Sequence, residues 1–389
     1  MHLSSKQKQF WLEASHRWNI KTGATRSGKT YLDYYLIPRR IRACNGSGLI
    51  LLLGNTKGTL ERNILEPMRS IWGGLVGNIG SDNKVSLFGR KCYALGADKV
   101  NQVTKIQGAG FEYVYGDEIT TWHEDVFQML KSRLDKPNSC FDGTCNPDNP
   151  NHWFKAFLDG DADIYHQHYT IDDNPFLTSK FVDNLKREYA STVYYDRFIL
   201  GKWALAEGLV YSVFDEGKNT YSIPPWNDEC GEYYISVDYG TMNPTSMGLW
   251  RIHDGKAYRI KEYYYSGRNS RKQLTDEEYY AALERLAEDR VIQSVIVDPS
   301  AASFIAAIRR HGKYTVRAAN NAVLDGIRHT AACINQGKLL IHRSCKNTLD
   351  ELKSYRWDEN AGEDKVIKEN DHAMDDMRYF VMTALRRII

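Results

Sequence analysis

The apolar positions of the chain follow two periods, and their alternation predicts a mixed α/β protein. Trp18-Asn19-Ile20-Lys21-Thr22 predicts a short strand, and residues 31–42 carry apolar side chains at helical spacing. Residues 49–53, within SGLILLLGN, form a continuous apolar run, the pattern of a strand covered on both faces of a parallel sheet. A further strand at 111–116 ends in Asp117-Glu118, and another at 141–145 runs into the turn at Asn146-Pro147. Periodicity breaks over 208–232, where two prolines and several Gly, Asn and Asp residues predict a domain boundary. Beyond it, 233–238 predicts a strand, and 246–253 with 256–265 predicts a hairpin around Asp254-Gly255. Residues 275–290 predict a helix with Thr275 as N-cap and Glu278 at capping-box spacing. A strand at 291–298 and a helix opening near 371 complete the pattern. The expected organisation is a domain at 1–207, a linker at 208–230 and a second domain at 231–389.

A chain of 389 residues is long for one core, which agrees with two domains. The net charge is only +2, so contact with nucleic acid must come from local basic clusters. Arg39, Arg40 and Arg42 form one, Arg309, Arg310, His311 and Lys313 a second, and Arg386 with Arg387 a third. No apolar run is long enough to span a bilayer and the N-terminus has no signal core, so a protein that is not secreted is expected. The seven cysteines are scattered and form no CxxC, which points to reduced thiols and away from a zinc site.

Candidate chemistry falls in both halves. KTGATRSGKT (21–30) fits G-x-x-x-x-G-K-[ST] through Gly23, Gly28, Lys29 and Thr30, with Arg26 and Ser27 inside the loop. Such a loop turns its N–H groups onto phosphate oxygens, its lysine reaches the outer phosphates, and the Thr30 hydroxyl serves Mg²⁺. About ninety residues on, Asp117 is placed to hold Mg²⁺ and Glu118 to orient and deprotonate the attacking water. The small polar residues at the end of the 141–145 strand are candidate γ-phosphate sensors. In the C-terminal half, aspartates close the first and fourth strands and sit on a late helix, the ribonuclease H-like plan. Asp238, Asp298 and Asp375 are the candidate ligands of two divalent cations, Mg²⁺ or Mn²⁺, roughly 4 Å apart for in-line phosphodiester cleavage. His372 lies three residues before Asp375 on one helix face, within reach of the metals or a phosphate. Asp371 reads as a residue favoured by the positive helix end, Asp376 as solvated, and Glu262 as a solvent-facing strand residue or an auxiliary ligand.

The order P-loop, Asp-Glu pair, T-x-N-P, HYTIDDNPFL (168–177) and YYDRFILGKWALAEGLVY (194–211) resembles the large subunit of tailed-bacteriophage terminases over nearly the whole chain. The D-x-G strand end at Asp238, the V-D strand end at Asp298 and D-H-x-x-D-x-x-R-Y from Asp371 extend the resemblance. It implies an ASCE-type ATPase domain followed by a ribonuclease H-like nuclease, with Thr144 and Asn146 as the coupling motif. It implies an adenine-contacting glutamine, Gln7 in preference to Gln9, and an arginine finger, Arg62 with Arg26 as its rival. The implied function is ATP-driven translocation of double-stranded DNA into a procapsid and cutting of concatemeric DNA in the cytoplasm of an infected bacterium. The implied partners are the portal protein, the small terminase subunit and copies of the chain in a ring on the portal, the isolated chain being a monomer. A helicase-like DNA-remodelling ATPase whose second domain only binds nucleic acid is the alternative, and a non-catalytic assembly component a third reading.

Overall fold

The apolar run at 49–53 forms β2 (Leu49–Gly54), buried along all but its first residue. It belongs to a seven-stranded sheet with β1 (Trp18–Gly23), β3 (Lys84–Leu87), β4 (Arg90–Gly96), β5 (Phe111–Gly116), β6 (Cys140–Cys145) and β7 (Ile164–Tyr169). The order is β3-β4-β2-β5-β6-β1-β7, parallel throughout except for the β3–β4 pair. The computed structural model describes residues 2–227 and 231–387; Cys230 lies outside them. Alternate residues of the central strands feed two cores, as a period of two requires. Leu51, Leu53 and Val114 enter one; Ile50, Leu52, Tyr113 and Tyr115 enter the other. β6 lies between β1 and β5, the inserted strand that an ASCE-type sheet requires. The loop after β1 and the acidic pair after β5 therefore emerge at the same, C-terminal edge of the sheet, where parallel α/β sheets bind their ligands.

A second seven-stranded sheet contains β8 (Thr220–Tyr221), β9 (Glu232–Asp238), β10 (Thr245–His253), β11 (Lys256–Tyr265), β12 (Ile292–Val297), β13 (Val316–Ala318) and β14 (Leu339–His342), ordered β13-β12-β9-β10-β11-β14-β8. β9, β10 and β11 form an antiparallel meander, and β12 runs parallel to β9. Asp254 and Gly255 both take positive φ, 48° and 68°, the two-residue turn whose twist suits a hairpin. Thr275 and Glu278 form the expected capping box on the helix Asp276–Ala287. The helix His372–Thr383 is buried against β9 and β10, with only its first residue partly exposed.

The stretch 208–230, expected as a linker, is not one throughout. Contacts divide the chain into Met1–Asp183 with Val193–Leu205, and Asn184–Thr192 with Ala206–Ile389. Inside the second unit β8 pairs in parallel with β14 and covers its backbone edge, and Leu209 bridges Arg356. An uncovered edge strand favours recruitment of any nearby extended segment, and proximity in sequence does not reveal that partner.

Candidate active sites

β1 ends at Gly23 (φ 136°), and the helix Lys29–Ala43 begins after Gly28 (φ 89°). A Cβ on Gly23 would lie 1.9 Å from the Tyr169 carbonyl oxygen, so no larger residue fits the turn. Gly201 packs on the same spot, its own Cβ position 2.4 Å from that oxygen and 2.8 Å from the Gly23 Cα. Lys29 is buried at the floor of the loop. Its Nζ donates to the carbonyls of Gly23 (2.8 Å) and Ala24 (2.6 Å), to Ser27 Oγ (3.3 Å) and to Asn146 Oδ1 (3.1 Å). Burial lowers its pKa to about 8.

Opposite stands the acidic pair. Asp117 accepts from Thr144 Oγ1 (2.9 Å) and Asn63 Nδ2 (3.5 Å), and burial pushes its carboxyl above the usual range. Glu118 holds φ 52°, a left-handed conformation that a glutamate adopts only where its surroundings impose it. Burial, then the Asp117 charge, raise its pKa, against the pull of Arg62 and Lys29. One cavity of about 570 Å³ is lined by Arg26, Ser27, Gly28, Lys29, Thr30, Arg62, Asp117, Glu118, Thr144 and Asn146. Arg62 sits in the π-helical turn Glu61–Leu65, a rare geometry concentrated at functional sites.

Gln7 does not line this cavity. Its Nε2 donates to the Gly28 carbonyl (2.8 Å) and its Oε1 accepts from Ser4 N–H (2.8 Å). Gln7 is thus tied to the loop at Gly28, and Gln9 binds Glu13 on its own helix. Other residues escaped sequence reading. Asn174, in the HYTIDDNPFL stretch, lines the cavity and donates to the Arg26 carbonyl (2.7 Å). Beneath the loop, Asp33 pairs with Lys21 at 2.7 Å, both fully buried. The Tyr115 hydroxyl stands 3.2 Å from Asp33 Oδ2 and 3.5 Å from Asp117 Oδ1. Nothing in the apolar spacing of 31–42 marks Asp33 as paired.

In the second unit, the parallel pairing of β9 with β12 brings Asp238 and Asp298 to one sheet edge. The Tyr379 hydroxyl joins them, donating to Asp298 Oδ2 at 2.9 Å and lying 3.5 Å from Asp238 Oδ1. His372 Nδ1 is 2.8 Å from Asp238 Oδ2. Burial raises the Asp238 pKa to about 6, and the Asp375 charge adds to this against the His372 contact. Burial disfavours the His372 imidazolium, but the Asp238 carboxylate outweighs it and raises the histidine. Burial acts upward on Asp298, and hydrogen bonds from Ser300, Tyr379 and Asn321 outweigh it and hold the carboxyl low. Asp375 accepts from Arg378 (2.6 Å) and Lys368 (3.3 Å).

A cavity of about 560 Å³ is lined by Asp238, Asp371, His372, Asp375, Lys368 and Arg268 among others; Asp298 reaches this group through Tyr379. Among the described residues no three His, Cys, Asp or Glu side chains converge as a ready metal cage.

Two expectations need correction. Asp376 is not solvated: it is fully buried, accepts from Arg259 Nη1 (2.6 Å) and Nη2 (2.9 Å), and accepts from the hydroxyls of Ser236 and Ser246. Glu262 is neither a ligand nor free in solvent, because it accepts from the N–H groups of Asn347 (2.8 Å) and Thr348 (3.1 Å) at the start of the helix Lys346–Ser354. Within the basic clusters, Arg40 pairs with Asp142, Arg310 and His311 with Glu277, Lys313 with Glu284, and Arg386 with Asp325.

A P-loop unit with an acidic pair across a strand insertion, joined in sequence to a ribonuclease H-like unit, is the class of protein these sheets define. The chain belongs to the phage terminase large-subunit family. The family "Terminase large subunit, T4likevirus-type, N-terminal" matches residues 22–218, and "Terminase RNaseH-like domain" matches residues 235–384. The large terminase of a thermophilic bacteriophage is 36% identical, over 99% of this chain and 100% of that one, with a TM-score of 0.90. The same phage protein in complex with ADP gives 0.87 at the same identity, covering 98% and 100%, and its complex with ATP-gamma-S gives 0.87, covering 99% and 100%. "Terminase, large subunit" of Escherichia phage T5 is 25% identical over 304 residues, 73% of this chain and 68% of its own length. No helix among the described residues is long and apolar enough to cross a membrane.

Proposed function

We propose that the first unit hydrolyses ATP to drive double-stranded DNA into a procapsid and that the second cuts concatemeric DNA by divalent-metal chemistry. The observation that carries the first half is the cavity in which a buried lysine on a glycine-bounded loop faces two adjacent carboxylates. The all-oxygen, anionic donor set at Thr30 and Asp117 fits Mg²⁺, and the Lys29 ammonium fits the outer phosphates of ATP. Asp117, held by Thr144 and Asn63, presents a fixed oxygen to that ion. Glu118, its pKa raised, is the base that orients and deprotonates water, and Arg62 with Arg26 at the cavity wall are the candidate fingers. The complexes of the thermophilic-phage relative with ADP and ATP-gamma-S support ATP as the nucleotide.

In the second unit, Asp238, Asp298 and Asp375 would hold the divalent cations. The hard oxygen donors fit Mg²⁺ or Mn²⁺, and Asp371 Oδ2 is a buried oxygen that accepts no hydrogen bond. Bound cations supply an activated water and stabilise the leaving oxygen. His372 and Tyr379 orient Asp238, and Arg378 fixes Asp375. Family membership supports the packaging role, with the portal protein, the small terminase subunit and a ring of copies as partners in the host cytoplasm.

ATP turnover and plasmid cleavage measured on one preparation test the reading. Lys29→Ala should abolish ATP turnover and leave cleavage intact, and Asp298→Asn should do the opposite. Undiminished metal-dependent cleavage by the Asp238, Asp298 and Asp375 single variants would overturn the nuclease half. A chain that hydrolyses ATP but never cuts would instead be the helicase-like alternative.

A further inference from the structure

Asp375 meets two cations of different kinds. Arg378 donates to its Oδ1 at 2.6 Å, is nearly fully buried, and also donates to the carbonyls of Asn321 (3.1 Å) and Ala322 (3.3 Å). These three acceptors and close packing pin the guanidinium in place.

Lys368 is not pinned. Its Nζ lies 3.3 Å from Asp375 Oδ2 and 3.2 Å from Asp371 Oδ2, while 55% of its side chain remains exposed. It stands in the irregular segment before the helix His372–Thr383, ahead of Asn370 at φ 51°. Asp371, in contrast, is buried, and its Oδ2 accepts no hydrogen bond despite that ion pair. Both carboxylates line the cavity that also holds Asp238 and His372, and Lys368 lines it too.

We propose that Lys368 is a tethered counter-cation of the nuclease site, neutralising Asp371 and Asp375 where a divalent ion would be held, and that it must withdraw for the metal to bind. The inference rests on the nuclease reading above. The charge balance explains why the lysine is there. Several carboxylates around one cavity repel one another, and Arg378 compensates only one of them. A flexible four-carbon stem with a compact charge is suited to leave; a planar guanidinium held at three acceptors is not. Metal entry therefore carries the cost of breaking two ion pairs in which the lysine is half-exposed and the carboxylates are largely buried. The freed ammonium stays at the rim of the cavity, available to a phosphate of the DNA backbone.

The test is Mn²⁺ binding to the full chain, without nucleotide or DNA, by isothermal titration calorimetry. Two ion pairs of this exposure predict that Lys368→Met tightens Mn²⁺ binding by between about threefold and thirtyfold. Lys368→Arg, which keeps the charge, should bind Mn²⁺ no more tightly than the wild type. Asp375→Asn, in either background, should remove the binding. Unchanged or weaker affinity in Lys368→Met, with Asp375-dependent binding intact in the wild type, overturns this inference and leaves the nuclease reading standing. If neither wild type nor Lys368→Met shows binding that Asp375→Asn removes, the nuclease reading fails and takes this inference with it.

Discussion

Asp376→Asn changes one oxygen to a nitrogen and should cost the second unit a large part of its stability. The wild-type carboxylate is fully buried, holds Arg259 through two hydrogen bonds at 2.6 and 2.9 Å, and accepts from two serine hydroxyls. Arg259 is fully buried as well; burial disfavours its charge and the Asp376 carboxylate outweighs that in the wild type, and a guanidinium keeps its proton even when that partner is lost, so it stays charged in the variant. Asparagine leaves that charge uncompensated and turns at least one N–H toward a donor. Breaking a buried pair by removing one partner costs about 3–5 kcal/mol, against a total of roughly 5–15 kcal/mol for a domain. At about 2–4 °C per kcal/mol for a unit of this size, the melting temperature should fall by roughly 6–20 °C. Differential scanning calorimetry of the full chain measures it, with Lys29→Ala as a control that leaves this transition in place. The double variant Asp376→Leu, Arg259→Met should recover most of the loss, because packed apolar groups replace buried ion pairs at little cost. A single-variant loss below about 1 kcal/mol, the worth of an exposed pair, would refute the buried-pair reasoning.

The nucleotide cavity sets three further outcomes. Glu118→Gln should bind a fluorescent ATP analogue normally while turnover falls at least about a hundredfold; near wild-type turnover would remove Glu118 as the base. Burial disfavours the Lys29 ammonium, so above about pH 8 the nucleotide-free protein loses that charge and must regain it to hold phosphate. Nucleotide affinity measured by fluorescence titration should therefore fall with rising pH above about 8, approaching about tenfold per unit, and a flat profile from about pH 7 to 10 would contradict the shift. Arg62→Ala should leave the melting temperature unchanged and abolish assembly-stimulated ATP hydrolysis; if Arg26→Ala shows that pattern and Arg62→Ala does not, the finger lies in the loop.

Legibility in the sequence followed the range of the interaction. The loop at 21–30, the acidic pair, the Asp254-Gly255 turn and the Thr275 capping box are set by residues within a few positions of one another, and all appear where the pattern puts them. Asp376 and Glu262 were misread because their partners are distant: Arg259 lies 117 positions away, and the Asn347 N–H 85. A carboxylate looks the same in sequence whether it meets water, a metal, a guanidinium or a helix end. Asp375 and Asp376 are consecutive, yet one lines the nuclease cavity and the other is sealed in the core, since neighbours on a helix point about 100° apart. Gln7 lies at the loop, its Nε2 on the Gly28 carbonyl, a contact 21 positions away that the motif marks only as proximity.

The crowding at Gly23 has a genetic meaning. Three stretches of backbone, at Gly23, Tyr169 and Gly201, occupy a space that admits no additional carbon atom, and Ala24 N–H donates to the Tyr169 carbonyl (2.8 Å) while Thr25 N–H donates to that of Phe198 (3.1 Å). The phosphate-binding loop is thus not a ten-residue motif with a scaffold behind it. It is a junction of three segments spread over nearly 180 positions, and a side chain at Gly201 intrudes on the loop as surely as one at Gly23. Variants selected for loss of ATP use should therefore map to residues that no nucleotide motif contains, and suppressors of a Gly201 lesion should arise at 23–25, 168–171 and 198–199.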